Sequence, residues 1–444
     1  MLIKRALCLF FLFALSNLWI SLRHLHISAI WSVILFIFLL IFFLFYNVNP
    51  RGEKVWATRM VVLMGGREML ISSFLLFFAD VILIIYLFLF SGAMFHLAEL
   101  IINGIISLVL LLILMWNGII RLICTSTQLS PLARSALIFA WWVPIANIFL
   151  IWHCCRVVRR EYLFSTAKEE LNEIRKESKI CKTNYPILLI HGIFWRDWQL
   201  FNYWGRIPKE LLRNGATVYY GHQQSSAPME VTAGELKEQI LQIIEREKCE
   251  KVNIIAHSKG GLDARYMISC LEMEDYVGSL TTVCTPHRGS VLLDKILKIT
   301  PDSVLQVFAN RYNTMYKKLG DSEPDFYSGV HDLTTEQCEQ FNQMAVNKEK
   351  VLYQSIAAKM DSFFSAGFPL NVGYAVLRYA EGENDGFVSI ESSKWGNFLG
   401  CFCTRRKRGV SHGDMIDLMR ENIQGFDVCE CYVDLVKGLK AKGL

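Results

Sequence analysis

The sequence predicts a mostly parallel α/β domain preceded by an all-α, membrane-spanning region. Three observations predict it. Five apolar runs crowd residues 1–154. Short continuous apolar runs then alternate with amphipathic helical patterns from Tyr185 onward. One of those runs leads directly into a small-residue turn that carries a serine. The 444 residues are 53% hydrophobic with a net charge of +5, too apolar for a disordered chain. Residues 1–160 hold twelve Lys/Arg against four Asp/Glu, and residues 161–444 hold 34 against 37. The positive excess therefore flanks the apolar runs, as membrane topology requires. With no basic face, zinc-finger spacing or glycine-rich phosphate loop, neither a nucleic acid nor a nucleotide is expected as a partner.

The apolar runs are roughly Ala6–Leu22, Ile27–Tyr46, Leu70–Phe90, Leu97–Ile120 and Ser135–His153. A bilayer-spanning helix needs about 20 largely apolar residues, which four runs meet and the first narrowly misses. Lys4 and Arg5 precede the first run as in a signal peptide, but no small-x-small cleavage site separates it from the second. About five uncleaved spans over residues 1–154 are expected. Lys4, Arg5, Arg51, Lys54, Arg59, Arg67, Arg121 and Arg134 then share one side, against Arg23, Arg156, Arg159 and Arg160 on the other. That bias favours a cytoplasmic N-terminal side and an extracytoplasmic C-terminal half; if the first or last run lies in the interface instead of spanning, the C-terminal half moves to the cytoplasm. Trp141-Trp142-Val143-Pro144 weakens the fifth span, because tryptophan prefers the interface and proline kinks a helix. Asp80, inside the third run, is either an interhelical contact to Asn103 or Asn117 or the centre of a transport site. Residues 155–184 alternate Lys/Arg with Glu and form a solvated helical connector.

Ile187–Ile190, closed by His191-Gly192, has the length and continuity of a strand buried on both faces. Trp204–Leu212 is helical in pattern, Ala216–Tyr220 is strand-like, and Gly234–Arg246 repeats Leu236, Ile240, Ile243 and Ile244 at helical spacing. Val252–Ala256 is a second buried strand, and Leu280–Cys284 a third. Such alternation implies a parallel sheet with helical crossovers. Tyr374–Tyr379 is also read as strand-like.

The junction His257-Ser258-Lys259-Gly260-Gly261 follows a strand and opens a helix. A serine on such a turn exposes its hydroxyl above the sheet edge, and small residues two before and two after, here Ala256 and Gly260, let the backbone turn tightly. The pattern A-x-S-x-G departs from G-x-S-x-G only at its first position. A serine hydroxyl needs a histidine to take its proton and an acid to orient that histidine, in the chain order Ser, acid, His. Asp385, in Glu383-Asn384-Asp385-Gly386, suits the acid; Asp294, Asp361 and Asp414 are alternatives, with Asp294 on an amphipathic helix. Of ten histidines only His412 follows Asp385, so Ser258, Asp385 and His412 form the one consistent triad. The oxyanion donors are expected to be the backbone N–H groups of Lys259 and of Ile193, in the loop after the first strand.

The motifs Tyr185–Gly192, Ala256–Gly261, Thr285-Pro286-His287-Arg288-Gly289-Ser290, Asn384–Val388 and Ser411-His412 together resemble bacterial triacylglycerol lipases of the α/β-hydrolase superfamily. The resemblance covers residues 185–444 and implies the α/β-hydrolase fold, with cleavage of carboxylic esters of lipids through an acyl-serine and no cofactor. It gives Ser258, Asp385 and His412 the roles of nucleophile, acid and base, and places a cap at about 299–344. Many relatives hold a structural calcium by an aspartate two residues after the histidine. Asp414 matches that position, whereas the next ligand position is Leu418, which makes calcium doubtful. With the apolar runs, this implies a multi-pass protein of the bacterial plasma membrane acting on a lipid or ester substrate. Alternatives are a phospholipase, an acyltransferase on membrane lipids, or a receptor carrying an inactive hydrolase domain. Cys401, Cys403, Cys429 and Cys431 form two C-x-C pairs, open to disulfides, one metal site or free thiols. Cys270 and Cys284 are expected in the core.

Overall fold

The computed structural model of the chain describes residues 2–24, 27–49, 57–90, 95–193, 202–404 and 408–444. The chain divides into two compact units, Met1–Leu171 and Asn172–Leu444. The division falls inside the expected connector, because a single helix, Pro144–Arg175, runs through it.

The first unit is all helical. Ala29–Val48, Thr58–Phe90 and Leu97–Thr125 are each long and apolar enough to cross a membrane. Leu2–Ser16 and Leu18–His24 meet at a 68° bend and make a fourth span only if taken as one. The fifth expected span differs. Its run is cut at Ala140–Val143 into the nine-residue helix Pro131–Phe139 and the helix Pro144–Arg175, whose second half is heavily charged. The break falls at the Trp-Trp-Val-Pro stretch, where Pro144 has no N–H to continue an unbroken helix. Thr58–Phe90 and Leu97–Thr125 pack along their length because glycines meet. A Cβ at Gly118 would lie 2.9 Å from the Gly66 carbonyl oxygen and 2.9 Å from Leu70 Cγ. Such close backbone approach holds apolar helices together where the hydrophobic effect cannot. Asp80 is buried in the same bundle, accepting from Asn17 Nδ2 at 2.6 Å, Ser16 Oγ at 3.2 Å and Ser107 Oγ. Asn103 joins through Asn17 Oδ1 at 2.8 Å, whereas Asn117 bonds Asn47 instead.

The second unit is built on a six-stranded parallel sheet, ordered β2-β1-β3-β4-β5-β6. Its strands are β1 (Ile187–Ile190), β2 (Val218–Tyr220), β3 (Val252–His257), β4 (Val277–Val283), β5 (Leu352–Ala358) and β6 (Asn397–Phe402). β1 pairs β3 with Ile190 opposite Ala256, and β3 pairs β4 with Ala256 opposite Thr282. Alternation along the strands sends Leu188, Ile190, Ile254 and Ala256 into one core with helices Met229–Glu247 and Lys259–Cys270. Ile187, Leu189 and Ile255 enter the other core with Trp204, Leu211, Tyr432 and Leu439, from helices or loops on the opposite face. Covering both faces explains why β1, β3 and β4 read as unbroken apolar or small-residue runs.

Tyr374–Tyr379 is not a strand but part of the helix Leu370–Ala380. Its buried residues are Gly373 and Leu377, four apart, whereas Tyr379 is exposed. A short apolar run leaves helix and strand undecided, and here the helical spacing prevails. Residues 299–344 form an insertion between β4 and β5 that contains helices Asp302–Lys318, Phe326–His331 and Thr335–Met344. All thirteen cysteines are free thiols. Neither C-x-C pair forms a disulfide, and the metal-ligand cluster found among the described residues includes none of the four. Burial pushes the Cys401 and Cys431 thiols up to about 12.

Candidate active site

β3 delivers Ser258 at φ 55° and ψ −131°, a backbone conformation that side-chain-bearing residues rarely adopt. Its surroundings hold it there. The Ser258 N–H donates to the Val283 carbonyl at 3.0 Å, and its carbonyl accepts from Thr285 Oγ1 at 2.8 Å and from the Gly261 N–H at 3.1 Å. A Cβ at Gly260 would collide with the His191 carbonyl oxygen, so the turn requires glycine. Ala256 fits at the position where a glycine is commoner, fully buried between Ile190 and Thr282.

The loop after β1 passes directly over the serine. A Cβ at Gly192 would lie 2.8 Å from Ser258 Cβ, and Ile193 follows on the cavity wall. Tyr203 ties loop and turn together: its hydroxyl accepts the Gly192 N–H at 3.0 Å and bonds His257 Nδ1 at 2.7 Å. Burial, reinforced by His412, holds His257 well below the ordinary imidazole range, so it is neutral and accepts the Tyr203 proton. This Tyr203–His257 link is invisible in sequence, since its partners lie 54 residues apart. A second unanticipated feature is the buried pair of Lys259 Nζ and Asp263 Oδ1 at 2.5 Å. Burial nevertheless raises the Asp263 carboxyl to about 6, against the opposing pull of Lys259. The i,i+4 spacing of opposite charges on a helix was the available signal.

Asp385 is completely buried. Its Oδ1 accepts the N–H groups of Phe387 at 2.9 Å and Val388 at 2.7 Å. Its Oδ2 lies 2.7 Å from His412 Nδ1, and its carbonyl accepts the His412 N–H at 2.9 Å. The two residues are thus joined through both side chain and backbone. Gly386, at φ +97°, makes the tight turn that aims two amides at the carboxylate. Of the alternative acids, Asp294 accepts from Thr335 N at 3.1 Å and Oγ1 at 2.7 Å, anchoring the insertion after β4. Asp361 is exposed.

Ser258 and His412 open into one cavity of about 720 Å³. Phe364, Phe368, Leu370, Phe387, Ile416 and Met419 make its walls largely apolar. Phe364, 89% exposed, and Phe368, 84% exposed, stand at its rim. Among the described residues, the lining includes none of 299–344. Val330, Leu333, Cys338 and Phe341 of that insertion pack against Leu262 and Leu293, whereas Val304, Val307, Phe308 and Met315 on its longest helix are exposed. Cys284 ends β4 behind the pair, and its Sγ, one Asp385 oxygen and one His412 nitrogen lie within 4.8 Å of one another. Burial, then Asp385, drives the Cys284 thiol well above its ordinary value, so it remains protonated.

Asp414, the position matched to a calcium ligand, is held by protein groups. Its carboxylate accepts from Ser411 N at 2.9 Å and Oγ at 2.8 Å, and from Arg408 Nη1 at 3.1 Å and Nη2 at 3.2 Å. A guanidinium already supplies the positive charge, and Leu418 supplies no oxygen. Arg206 clamps the same loop further on, holding Asp417 through Nε at 2.7 Å and Nη2 at 2.8 Å.

Residues 185–368 match the family described as alpha/beta hydrolase fold. The second unit is an α/β-hydrolase-fold domain. Among curated relatives, this domain is similar to a triacylglycerol lipase of Pseudarthrobacter phenanthrenivorans, 32% identical over 173 residues, covering 36% of this chain and 53% of that protein. Triacylglycerol lipase 2 of Saccharomyces cerevisiae is 31% identical over 222 residues, covering 48% and 62%. A triacylglycerol lipase of Pseudomonas fragi is 24% identical over 298 residues, covering 59% and 98%. The chain thus spans about half the length of the first of these relatives. Among solved structures, the α/β-hydrolase domain overlaps the Staphylococcus hyicus lipase at 18% identity and a TM-score of 0.45, covering 59% of this chain and 97% of that one.

Proposed function

We propose that this protein is a membrane-anchored serine hydrolase that cleaves carboxylic esters of lipids, triacylglycerol lipase-like, through an acyl-serine intermediate. The observation that carries the reading is the shared cavity: Ser258 on its strained turn and the hydrogen-bonded Asp385–His412 pair open into one apolar chamber. Similarity to triacylglycerol lipases supports the choice of ester. A volume of about 720 Å³ falls within the few hundred to 1,000 Å³ usual for small-molecule sites.

In the reaction, Ser258 Oγ attacks the ester carbonyl carbon while His412 Nε2 takes its proton. Asp385 holds the Nδ1–H tautomer and balances the imidazolium charge. The N–H groups of Ile193 and Lys259 receive the oxyanion, each worth about 3 kcal/mol in comparable sites. Collapse expels the alcohol, which leaves with the proton from His412. Water then adds to the acyl carbon, giving its proton to His412. Ser258 departs, recovers that proton, and the fatty acid is released. The steps need no cofactor. The apolar helices of the first unit would anchor the chain in a membrane; with three or four spans, and with Arg67 bonded to the Cys155 carbonyl, the second unit follows the Lys/Arg-rich side, which favours a cytoplasmic active site. Protease protection of the second unit in intact cells tests that orientation, and resistance to protease added outside is expected.

The deciding experiment compares the full chain in detergent with its Ser258→Ala variant on p-nitrophenyl esters of increasing acyl length. Turnover falling to the buffer rate in the variant, with an unchanged unfolding temperature, is expected. Equal turnover in both proteins overturns the proposal.

A further inference from the structure

The first unit contains a cavity of about 570 Å³ lined by two of its helices, Thr58–Phe90 and Pro144–Arg175. Its lining repeats every three or four residues on each helix, so one face of each contributes. The two faces run in opposite directions. Arg67 Nε donates to the Cys155 carbonyl at 3.3 Å, which brings Arg67 to the end that also carries Arg156 and Arg159. Phe74 and Phe149 lie toward the other ends of these lining stretches, with only apolar neighbours. From Ile148 to Arg159 a helix rises roughly 16 Å, close to the hydrocarbon depth of one leaflet, which is about 15 Å.

The arginines are short of counter-charge. Arg67 has Glu68 at 3.4 Å, but that carboxylate is also held by Arg5 at 2.7 Å. Arg156 and Arg159 make no ion pair among the described residues; the Arg156 guanidinium lies 5.2 Å from the ring centre of Trp152. Trp152 is itself on the lining and exposed, the placement of an interfacial tryptophan. Three cations at one end of an apolar groove, with an aromatic side chain at the boundary, match an amphiphile with an anionic head.

We propose that this cavity binds an anionic phospholipid, its phosphate between Arg67, Arg156 and Arg159 and an acyl chain along Phe74 and Phe149. The site rests on the membrane-embedded reading of this unit but not on the hydrolase chemistry. It would hold one lipid as a fixed part of the helical unit, separate from any lipid that is cleaved.

The test uses the full chain, purified in detergent and stripped of lipid, with native mass spectrometry as readout. Phosphatidylglycerol, phosphatidylcholine and inorganic phosphate are added separately. Phosphatidylglycerol is expected to bind at least tenfold more tightly than phosphatidylcholine. The double variant Arg156→Gln with Arg159→Gln should lose at least tenfold in phosphatidylglycerol affinity. Both side chains are exposed, so the change removes little packing, and Arg156→Lys with Arg159→Lys should restore most of the binding. Phe149→Ala should weaken the lipid without altering phosphate. Equal binding of the two lipids, or unchanged affinity in the double variant, overturns the site. Inorganic phosphate displacing the lipid at equal concentration overturns the lipid and leaves a simple anion site. Alkaline carbonate extraction separates the premise: a chain washed off membranes defeats the membrane reading itself, whereas a retained chain without lipid preference defeats only the site.

Discussion

Three side chains of the second unit carry distinct expectations. Asp385→Asn keeps a carbonyl oxygen for the Phe387 and Val388 amides but turns an NH₂ group toward His412, favouring the wrong imidazole tautomer. In triads of this kind that change lowers kcat about 10⁴-fold with the fold intact; steady-state kinetics alongside circular dichroism will show it. Tyr203→Phe strips the acceptor from the Gly192 N–H and the donor from His257 Nδ1. Leaving those buried groups unpaired costs about 1–3 kcal/mol, seen as a lower unfolding temperature with turnover reduced because the Ile193 loop loses its tie. The third residue is Asp263. Its folded pKa, about 6, lies above the ordinary 3.8. The folded state therefore binds this proton more tightly than the unfolded chain does, and the associated stability is present below pH 4 and lost as pH rises toward 6. Thermal unfolding between pH 4 and 7 should show that decline, and Asp263→Asn should flatten it.

Among the elements, the loop that carries His412 is fixed at two points, by Arg408 on Asp414 and by Arg206 on Asp417. Chelation by EDTA is accordingly expected to leave ester turnover within twofold. Arg408→Ala should lower the unfolding temperature modestly, by an amount corresponding to about 1 kcal/mol for a partly exposed pair, and reduce turnover. Strong sensitivity to EDTA would show that the guanidinium is not the group that steadies this loop. Sequence alone reaches the elements where one physical signal dominates. β1, β3 and β4 were legible because burial on both faces demands unbroken apolar or small-residue runs, and Ser258 because only a strand-to-helix turn places Gly260 against a carbonyl. β5 and β6 were not. Leu352–Ala358 mixes Gln354 and Ser355 with apolar residues, and Asn397–Phe402 is a half-exposed edge containing Gly400. The helix Leu370–Ala380 was misread because its buried positions, Gly373 and Leu377, include a residue with no side chain to mark the period. The cavity wall at 364–370 was missed for a related reason: its exposed phenylalanines follow no periodicity.

At the scale of the whole molecule, the two units differ in what holds them together. The first depends on close helix approach at Gly66 and Gly118 and on the buried Asp80 cluster. Gly118→Leu should therefore lower its detergent unfolding temperature, and alkaline carbonate should leave the native chain in the membrane pellet. The second depends on a sheet whose middle strands are far apart in sequence, with β5 reaching β4 only across the long insertion. That topology has a consequence for biosynthesis. In synthesis the apolar helices precede β1, β3 and β4, whose ends border the turn at Ser258. Asp385 arrives only after β5, and His412 only after β6. On the chemistry proposed above, a nascent chain would carry Ser258 without the base that activates it through the whole period in which its helices would be entering lipid. The reactive centre is completed late, after the segments that would bring it to a membrane have already been made.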